Sequence, residues 1–401
     1  MTDTNNNVWL HRFACALAIA TLFLVALGGI VTTKGVGMAV PDWPTTYGHH
    51  MFFFPWSHWY AGIFDEHSHR VWASIVGILA AVFAIWAWAR DSRGAQRWWG
   101  IAAMVAGLGL VGVRTPAMFV VVACLCVVAI AWMIPRAARD ERPLRWLGAI
   151  MFAAVIIQGV LGGLRVVLDV HGWGTEFGIF HAMLAQIFFL FVCSLVLVTS
   201  KWWARANRNE LNAAAASRLR GVFTAATLLI LVQILFGATM RHLHQGLAVP
   251  DLPLAYGKVW PATDEASIAA YNAHRLEAAG EQPITAFHIA THMLHRYTGV
   301  LAWLAIAGCV IAAWRNTRGG SMLRKLTVLW FAVASTQVTL GVFSILSRRK
   351  VDVTTAHVAV GALTLTLGWI VVLAATRLAA PRLATAVQNE PVLDAAKLKH
   401  A

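Results

Sequence analysis

The sequence predicts an all-α polytopic membrane protein: two pseudo-symmetric four-helix bundles plus an inserted helical hairpin. Three observations carry this prediction. Of the 401 residues, 59% are hydrophobic and 12% charged, about half the charged fraction of an ordinary soluble domain, and the mean hydropathy is +0.65. Apolar runs of about 18 residues or more recur, each long enough to cross a ~30 Å hydrocarbon layer as a helix. A spanning segment must satisfy its own backbone groups, which selects helix. Finally, a twelve-residue phrase occurs twice: Gly-Met-Ala-Val-Pro-Asp-Trp-Pro-Thr-Thr-Tyr-Gly at 37–48 and Gly-Leu-Ala-Val-Pro-Asp-Leu-Pro-Leu-Ala-Tyr-Gly at 246–257, with eight of twelve positions identical. Such a repeat marks two versions of one module.

The apolar runs place spans at roughly 13–33, 68–89, 98–113, 117–134, 147–167, 178–198, 221–240, 287–313, 326–346 and 354–376. The repeat pairs them. Span 13–33 matches 221–240, with Gly28 opposite Gly237. Span 68–89 matches 287–313, with Glu66-His67-Ser68-His69-Arg70 against His292-Met293-Leu294-His295-Arg296. Span 147–167 matches 326–346 through Gln158 to Gly162 and Gln337 to Gly341. Span 178–198 matches 354–376 through His181 and His357. Corresponding helices run the same way, so the halves are related by an axis along the membrane normal.

Residues 98–134 have no counterpart. Arg114-Thr115-Pro116 reads as a turn, because the residue before proline resists helix, so the segment is expected to be a hairpin. The alternative, one long bent span, would invert the topology after it. The expected organisation is therefore 1–97 with 135–205 as the first bundle, 98–134 as the hairpin, 206–380 as the second bundle and 381–401 as a cytoplasmic tail.

The net charge of +14 comes from placement along the loops: 21 of the 32 Lys and Arg fall in the N-terminal segment, alternate loops and the C-terminal tail. That is the positive-inside pattern, with both termini cytoplasmic. Arg348, Arg349 and Lys350 go against it, in a short outer loop. Basic residues that track loops rather than one face argue against a nucleic-acid partner. Cys15, Cys124, Cys126, Cys193 and Cys309 all lie in apolar runs, so no structural disulfide or redox pair is indicated. The start, Met-Thr-Asp-Thr-Asn-Asn-Asn, reads as neither signal nor transit peptide, and a bacterial cytoplasmic membrane fits.

Two outer loops, 34–66 and 241–286, carry the repeated phrase. Proline follows Val40, Trp43, Val249 and Leu252, which favours extended or turning backbone. Asp42 and Asp251 sit between prolines, where their side chains can accept from nearby N–H groups. These loops either cap the bundle or touch a ligand.

Chemistry points to four of the sixteen histidines. His69 pairs with His295 and His181 with His357 through the repeat, all near outer helix ends. Ionisable groups inside spans are costly and mark function. Neutral imidazole is a good iron ligand, and two from facing helices can clamp a metal or haem axially in a bundle core. The bland alternative, a polar helix-end histidine held by a carbonyl, does not explain two matched pairs at one depth. One site per half follows: His69 with His181, and His295 with His357. Glu66 shares a helix face with His69 and faces His292 in the repeat. A carboxyl there can act as general acid or base, or form a salt bridge with Arg70. Arg70, Arg165, Arg241 and Arg296 gather at the outer boundary, where each can hold a carboxylate such as a propionate or snorkel. His288, His292 and His295 share a face that could hold a non-haem metal, but too few further ligands surround it.

Taken together, Glu66 to Arg70, the Pro-Asp-Trp-Pro loop, Gln158 to Gly163, Gly237 to His242 and His292 to Arg296 resemble the haem A synthase family over nearly the whole chain apart from 98–134 and the tails. The resemblance implies two four-helix bundles and oxidation of the C8 methyl of haem O to a formyl group by successive hydroxylations. It implies substrate haem O in the first half between His69 and His181, with Glu66 on the reacting side. In the second half it implies a haem b between His295 and His357, its iron held by both imidazoles. Implied partners are haem O synthase, haem–copper oxidase assembly factors and a membrane electron donor; a homo-oligomer is compatible with the sequence. Two departures stand out. Some members carry a cysteine pair in the first outer loop, absent here, and the hairpin lies outside the usual eight-helix plan. The alternatives are a di-haem b-type electron carrier without substrate chemistry, which the one-sided Glu66 disfavours, and a repeat-built transporter, which predicts no haem.

Overall fold

A computed structural model describes residues 7–206, 210–279 and 282–379; the expected tail at 381–401 lies outside the described residues. Twelve helices follow in order: α1 (Val8–Thr33), α2 (Ala61–Asp91), α3 (Gly94–Leu108), α4 (Pro116–Arg139), α5 (Leu144–Val167), α6 (Gly174–Thr199), α7 (Lys201–Arg205), α8 (Ala213–His242), α9 (Glu265–Ala279), α10 (Ala286–Asn316), α11 (Met322–Leu346) and α12 (Val351–Ala379). Nine of these described helices are long and apolar enough to cross a membrane.

The exception among the ten expected spans is α3. Its 15 residues rise only ~22 Å. Gly107, Gly109 and Gly112 weaken helix here, and the chain tightens into a 3₁₀ turn at Gly109–Gly112. The two helices α3 and α4 pack on the bundle rather than on each other, α3 on α2 and α4 on α5. Phe119, near the start of α4, packs on Trp43 of the first loop at 4.8 Å. At the opposite end Arg145 of α5 pairs with Asp140 at 2.5 Å and donates to the Asp91 carbonyl that closes α2. The helix α9 is an element the sequence reading took for loop; Asp264 caps it by accepting from Ser267 N at 3.0 Å.

Neighbour order repeats in the two halves. In the first, α1 packs on α2, α2 on α5, α5 on α6, and α6 back on α1. In the second, α8 packs on α10, α10 on α11, α11 on α12, and α12 back on α8. Each ring encloses an apolar core, around Leu17, Phe83, Met151 and Val192 in the first and Phe223, Ile306, Trp330 and Leu365 in the second. The hairpin lies outside the first ring, α3 against α2 and α4 against α5. The halves join through α1, α6, α8 and α12, where Trp369 donates to Ser194 Oγ at 3.0 Å. Both ends of the described chain meet at the arginine-rich end: His11 contacts Thr199 at 3.1 Å, and Leu211 N donates to Leu378 O at 3.3 Å.

Candidate functional site

The repeated phrase folds into the same clasp twice. Asp42 accepts from Tyr47 N at 2.7 Å and Gly48 N at 2.9 Å; Asp251 accepts from Tyr256 N at 2.9 Å and Gly257 N at 3.2 Å. The tyrosine hydroxyls donate back to Ala39 O at 2.6 Å and Ala248 O at 2.8 Å. Tyr47 and Tyr256 sit at φ 48° and 49°, a left-handed conformation rare outside glycine that the aspartate bonds hold. The peptides before Pro44 and Pro253 are both cis. Burial alone would raise the Asp42 carboxyl; hydrogen bonds from Gly48, Thr45 and Tyr47 outweigh it and hold the group below its ordinary value.

One arginine ties each clasp to the bundle. Arg70 donates to Asp42 O at 2.6 Å, Thr45 O at 3.1 Å and Val40 O at 2.8 Å. Arg296 donates to Leu254 O at 3.2 Å, Val249 O at 2.8 Å and Asp251 O at 2.8 Å. Glu66 completes the first clasp: one oxygen takes Arg70 Nη2 at 2.6 Å and the other takes Val40 N at 2.8 Å. The salt bridge weighed from the sequence is therefore present. His292 does the matching task, accepting from Val249 N at 3.2 Å. His288 serves in the capping box of α10 with Thr285. The three face-sharing histidines thus have separate tasks, and among the described residues no group of three or more His, Cys, Asp or Glu is placed to hold a metal ion.

Each of the four paired histidines brings its ring Cε1 close to a glycine of the neighbouring helix. A Cβ on Gly28 would meet His69 Cε1 at 3.3 Å, on Gly162 His181 Cε1 at 2.9 Å, on Gly237 His295 Cε1 at 2.9 Å, and on Gly341 His357 Cε1 at 3.1 Å. The glycines are there because a side chain would displace the ring. His181 Nδ1 faces Gln158 O at 3.1 Å, and His295 Nδ1 faces Gln233 O at 3.1 Å. Donation from Nδ1 leaves the lone pair on Nε2, the tautomer a metal requires.

In the second half the rings of His295 and His357 are 6.5 Å apart between centroids, inclined at 73°. Two neutral imidazoles at this spacing are a donor set that would suit a haem iron. The amides of Gln233 and Gln337 reach the two Nε2 atoms at 3.3 Å each, and would turn aside for a metal.

In the first half His69 and His181 both line a cavity of about 240 Å³, with Glu66, Arg70 and Arg165 at its polar end. His69 Nδ1 is buried without a hydrogen-bond partner, a second mark of a donor set suited to a ligand. Trp43 also lines the cavity and covers Gly163, where a Cβ would fall 2.1 Å from the indole. The first loop thus contacts the cavity as well as capping the bundle. Arg241 is not at the cavity; it donates to Gly29 O at 2.6 Å, joining α8 to α1. The sequence reading missed Trp43, Gln233 and Gln337 as site residues, although the repeat flagged Gln337 through its match to Gln158.

The chain is similar to known proteins over much of its length. Residues 113–368 match the family model described as cytochrome oxidase assembly protein. The chain is 28% identical over 261 residues to the haem A synthase of Rhodopseudomonas palustris (strain HaA2), covering 65% of this chain and 66% of that protein. It is 22% identical over 359 residues to the haem A synthase of Geobacillus kaustophilus (strain HTA426), covering 87% and 86%. A third relative, the haem A synthase of R. palustris (strain BisA53), is 32% identical over 179 residues, covering 44% and 46%. With more than half of its length inside the family model, the chain belongs to the cytochrome oxidase assembly protein family.

Proposed function

We propose that the chain is a haem A synthase, an oxidoreductase that converts the C8 methyl of haem O to a formyl group by successive hydroxylations. The carrying observation is the doubled arrangement of an imidazole pair across each bundle, every ring seated on a glycine. Substrate haem O lies in the first half between His69 and His181; a haem b lies in the second between His295 and His357. Bound haem iron supplies the redox chemistry.

The protein residues orient and enclose. His69 and His181 hold the substrate ring, and Trp43 lines the loop end of the cavity. Arg165, whose guanidinium lines that cavity, pairs with a substrate carboxylate. The carbonyl-bound Arg70 and Arg296 set the loop that faces it, and Arg241 sets the junction. Glu66, 2.6 Å from Arg70 at the cavity wall, is the group placed to hold or pass a proton.

The cavity lined by His69 and His181 supports placing the substrate site in the first half. The sequence argument from Glu66 alone is weaker, since His292 does the same loop-holding task. The basic end faces the bacterial cytoplasm with both termini. Haem O synthase delivers the substrate, a membrane electron donor reduces haem b, and oxidase assembly factors receive the product.

The test is to express the chain with haem O synthase and analyse the extracted haems. Haem A or its hydroxylated intermediate is expected. Haem b alone would mean an electron carrier without substrate chemistry; no haem at all would refute both readings.

A further inference from the structure

The two halves differ most where α2 faces α5 and, in the second copy, α10 faces α11. The pairings His69 with His295 and Gly162 with Gly341 put Gly77 opposite Trp303, Ile156 opposite Ser335, and Phe152 opposite Phe331. In the second half Trp303 fills this place. It donates to Ser335 Oγ at 3.0 Å and lies against Phe331 at 5.3 Å. In the first half Gly77 and Gly159 line the cavity, and a Cβ added to either meets nothing within 4 Å.

The space so left is walled by apolar groups. Leu108 of α3 and Phe119 of α4 line it opposite Phe152, Val155 and Ile156 of α5. On α5 the lining runs from Gly162, the seat of His181, back to Phe152, ten residues and therefore ~15 Å along the helix. Trp43 over Gly163 and Phe119 against Trp43 close the loop end. The hairpin without a counterpart thus supplies one wall of a cavity that the other half plugs with a tryptophan.

We infer that α3 and α4 complete an apolar arm of the first-half cavity, which takes a long hydrocarbon chain carried by the substrate porphyrin. The inference rests on the substrate site proposed above and adds a specificity element to it. An apolar extension that runs ~15 Å along α5 from beside an imidazole pair suits an isoprenoid or acyl chain attached to the ring it ligates. It gives nothing to a porphyrin with short substituents. Apolar burial scales with the area covered, so the arm discriminates by chain length.

The test compares two porphyrins on the full-length protein by absorption titration: haem O, which bears an isoprenoid chain, and haem B, which does not. Signal from a His69→Ala/His181→Ala variant is subtracted to isolate the first site. Wild type is expected to bind haem O at least tenfold more tightly. Gly77→Trp, which copies the second half, should abolish that preference while changing haem B affinity less than twofold. Gly159→Val, a smaller intrusion copying Val338, should reduce it by an intermediate factor. Unchanged absorption of the haem held by His295 and His357 reports that each variant is folded.

An equal loss for both porphyrins, or no loss for either, overturns the arm and leaves the substrate site standing. A wild-type first site that binds neither porphyrin overturns the substrate site and the arm with it. Retention of a membrane lipid by wild type but not Gly77→Trp, with no porphyrin discrimination, assigns the arm to an acyl chain and also overturns the inference.

Discussion

Glu66 and His292 hold equivalent amides in the two halves: the Glu66 carboxylate accepts from Val40 N at 2.8 Å, and the His292 imidazole accepts from Val249 N at 3.2 Å. One backbone task is thus done by two chemically different groups. Glu66 alone is negatively charged and paired to Arg70, and it alone borders the cavity. A structural role is common to both halves, and a chemical role is open only to the first.

Glu66→His separates the two roles. It copies the second half, so the Val40 amide keeps an acceptor and haem b stays bound. Conversion of haem O is expected to fall roughly 10²-fold or more, the usual contribution of a positioned acid or base. Glu66→Ala also leaves Arg70 without its partner and should cost about 3–5 kcal/mol of stability as well. Undiminished haem A in extracts of the Glu66→His strain would reduce Glu66 to a loop holder.

The histidine pairs predict selective losses. His69→Ala should abolish conversion while haem b remains, read from extracted haems and the reduced absorption spectrum. His295→Ala should remove haem b. Loss of haem b from His69→Ala, with His295 and His357 intact, would reverse the assignment of the halves.

The glycine seats predict an order of severity. An added Cβ would reach the ring at 2.9 Å on Gly237 and Gly162 but 3.3 Å on Gly28. Overpacking a tight site costs about 1–3 kcal/mol. Gly237→Ala should therefore lower haem b content, and Gly162→Ala first-site binding, more than Gly28→Ala lowers the latter. Haem-to-protein ratios of the purified variants check the order.

The clasp should open in acid. Hydrogen bonds in the folded state hold the Asp42 carboxyl below its ordinary value. Its contribution is therefore complete above the ordinary carboxylate range, near pH 4, and is lost as pH falls through the lower, folded value. Hydrogen-exchange protection of the Tyr47 and Gly48 amides should persist down to about pH 4 and then vanish. In Asp42→Asn it should be weaker at neutral pH and lack this acid step. A wild-type step above pH 5 would contradict the depressed carboxyl.

Nine membrane-length helices were legible because apolar runs are local signals. Asp42 and Asp251 were legible as turn residues for the same reason. The carbonyl contacts of Arg70 and Arg296 were not. Both residues look like boundary arginines free for a ligand, and only the fold brings three loop carbonyls to each guanidinium. Gly77 against Trp303 was equally hidden, because a single glycine in a helix carries no sign of the space beside it. The helix α9 was missed because its composition is that of a polar loop, and its packing comes from Tyr271 stacking on Tyr256 at 3.8 Å.

Arg241 links the two halves at the seat of His69. Its guanidinium donates to Gly29 O at 2.6 Å and Gly28 O at 3.5 Å. Gly28 is the glycine beneath the His69 ring, while Thr355 of α12 packs against Gly29. A residue of the second half thus fixes the helix against which the His69 ring packs. Arg241→Ala removes a cross-helix hydrogen bond from a charged donor, worth about 1.5–3 kcal/mol, while the Gly28 and Gly29 carbonyls keep the Thr32 and Thr33 hydroxyls. The expected result is a shift in the first-site absorption band and weaker first-site binding, with haem b content unchanged and partial rescue by Arg241→Lys. Loss of haem b with an unaltered first site would instead make Arg241 a carboxylate partner for the second-half haem.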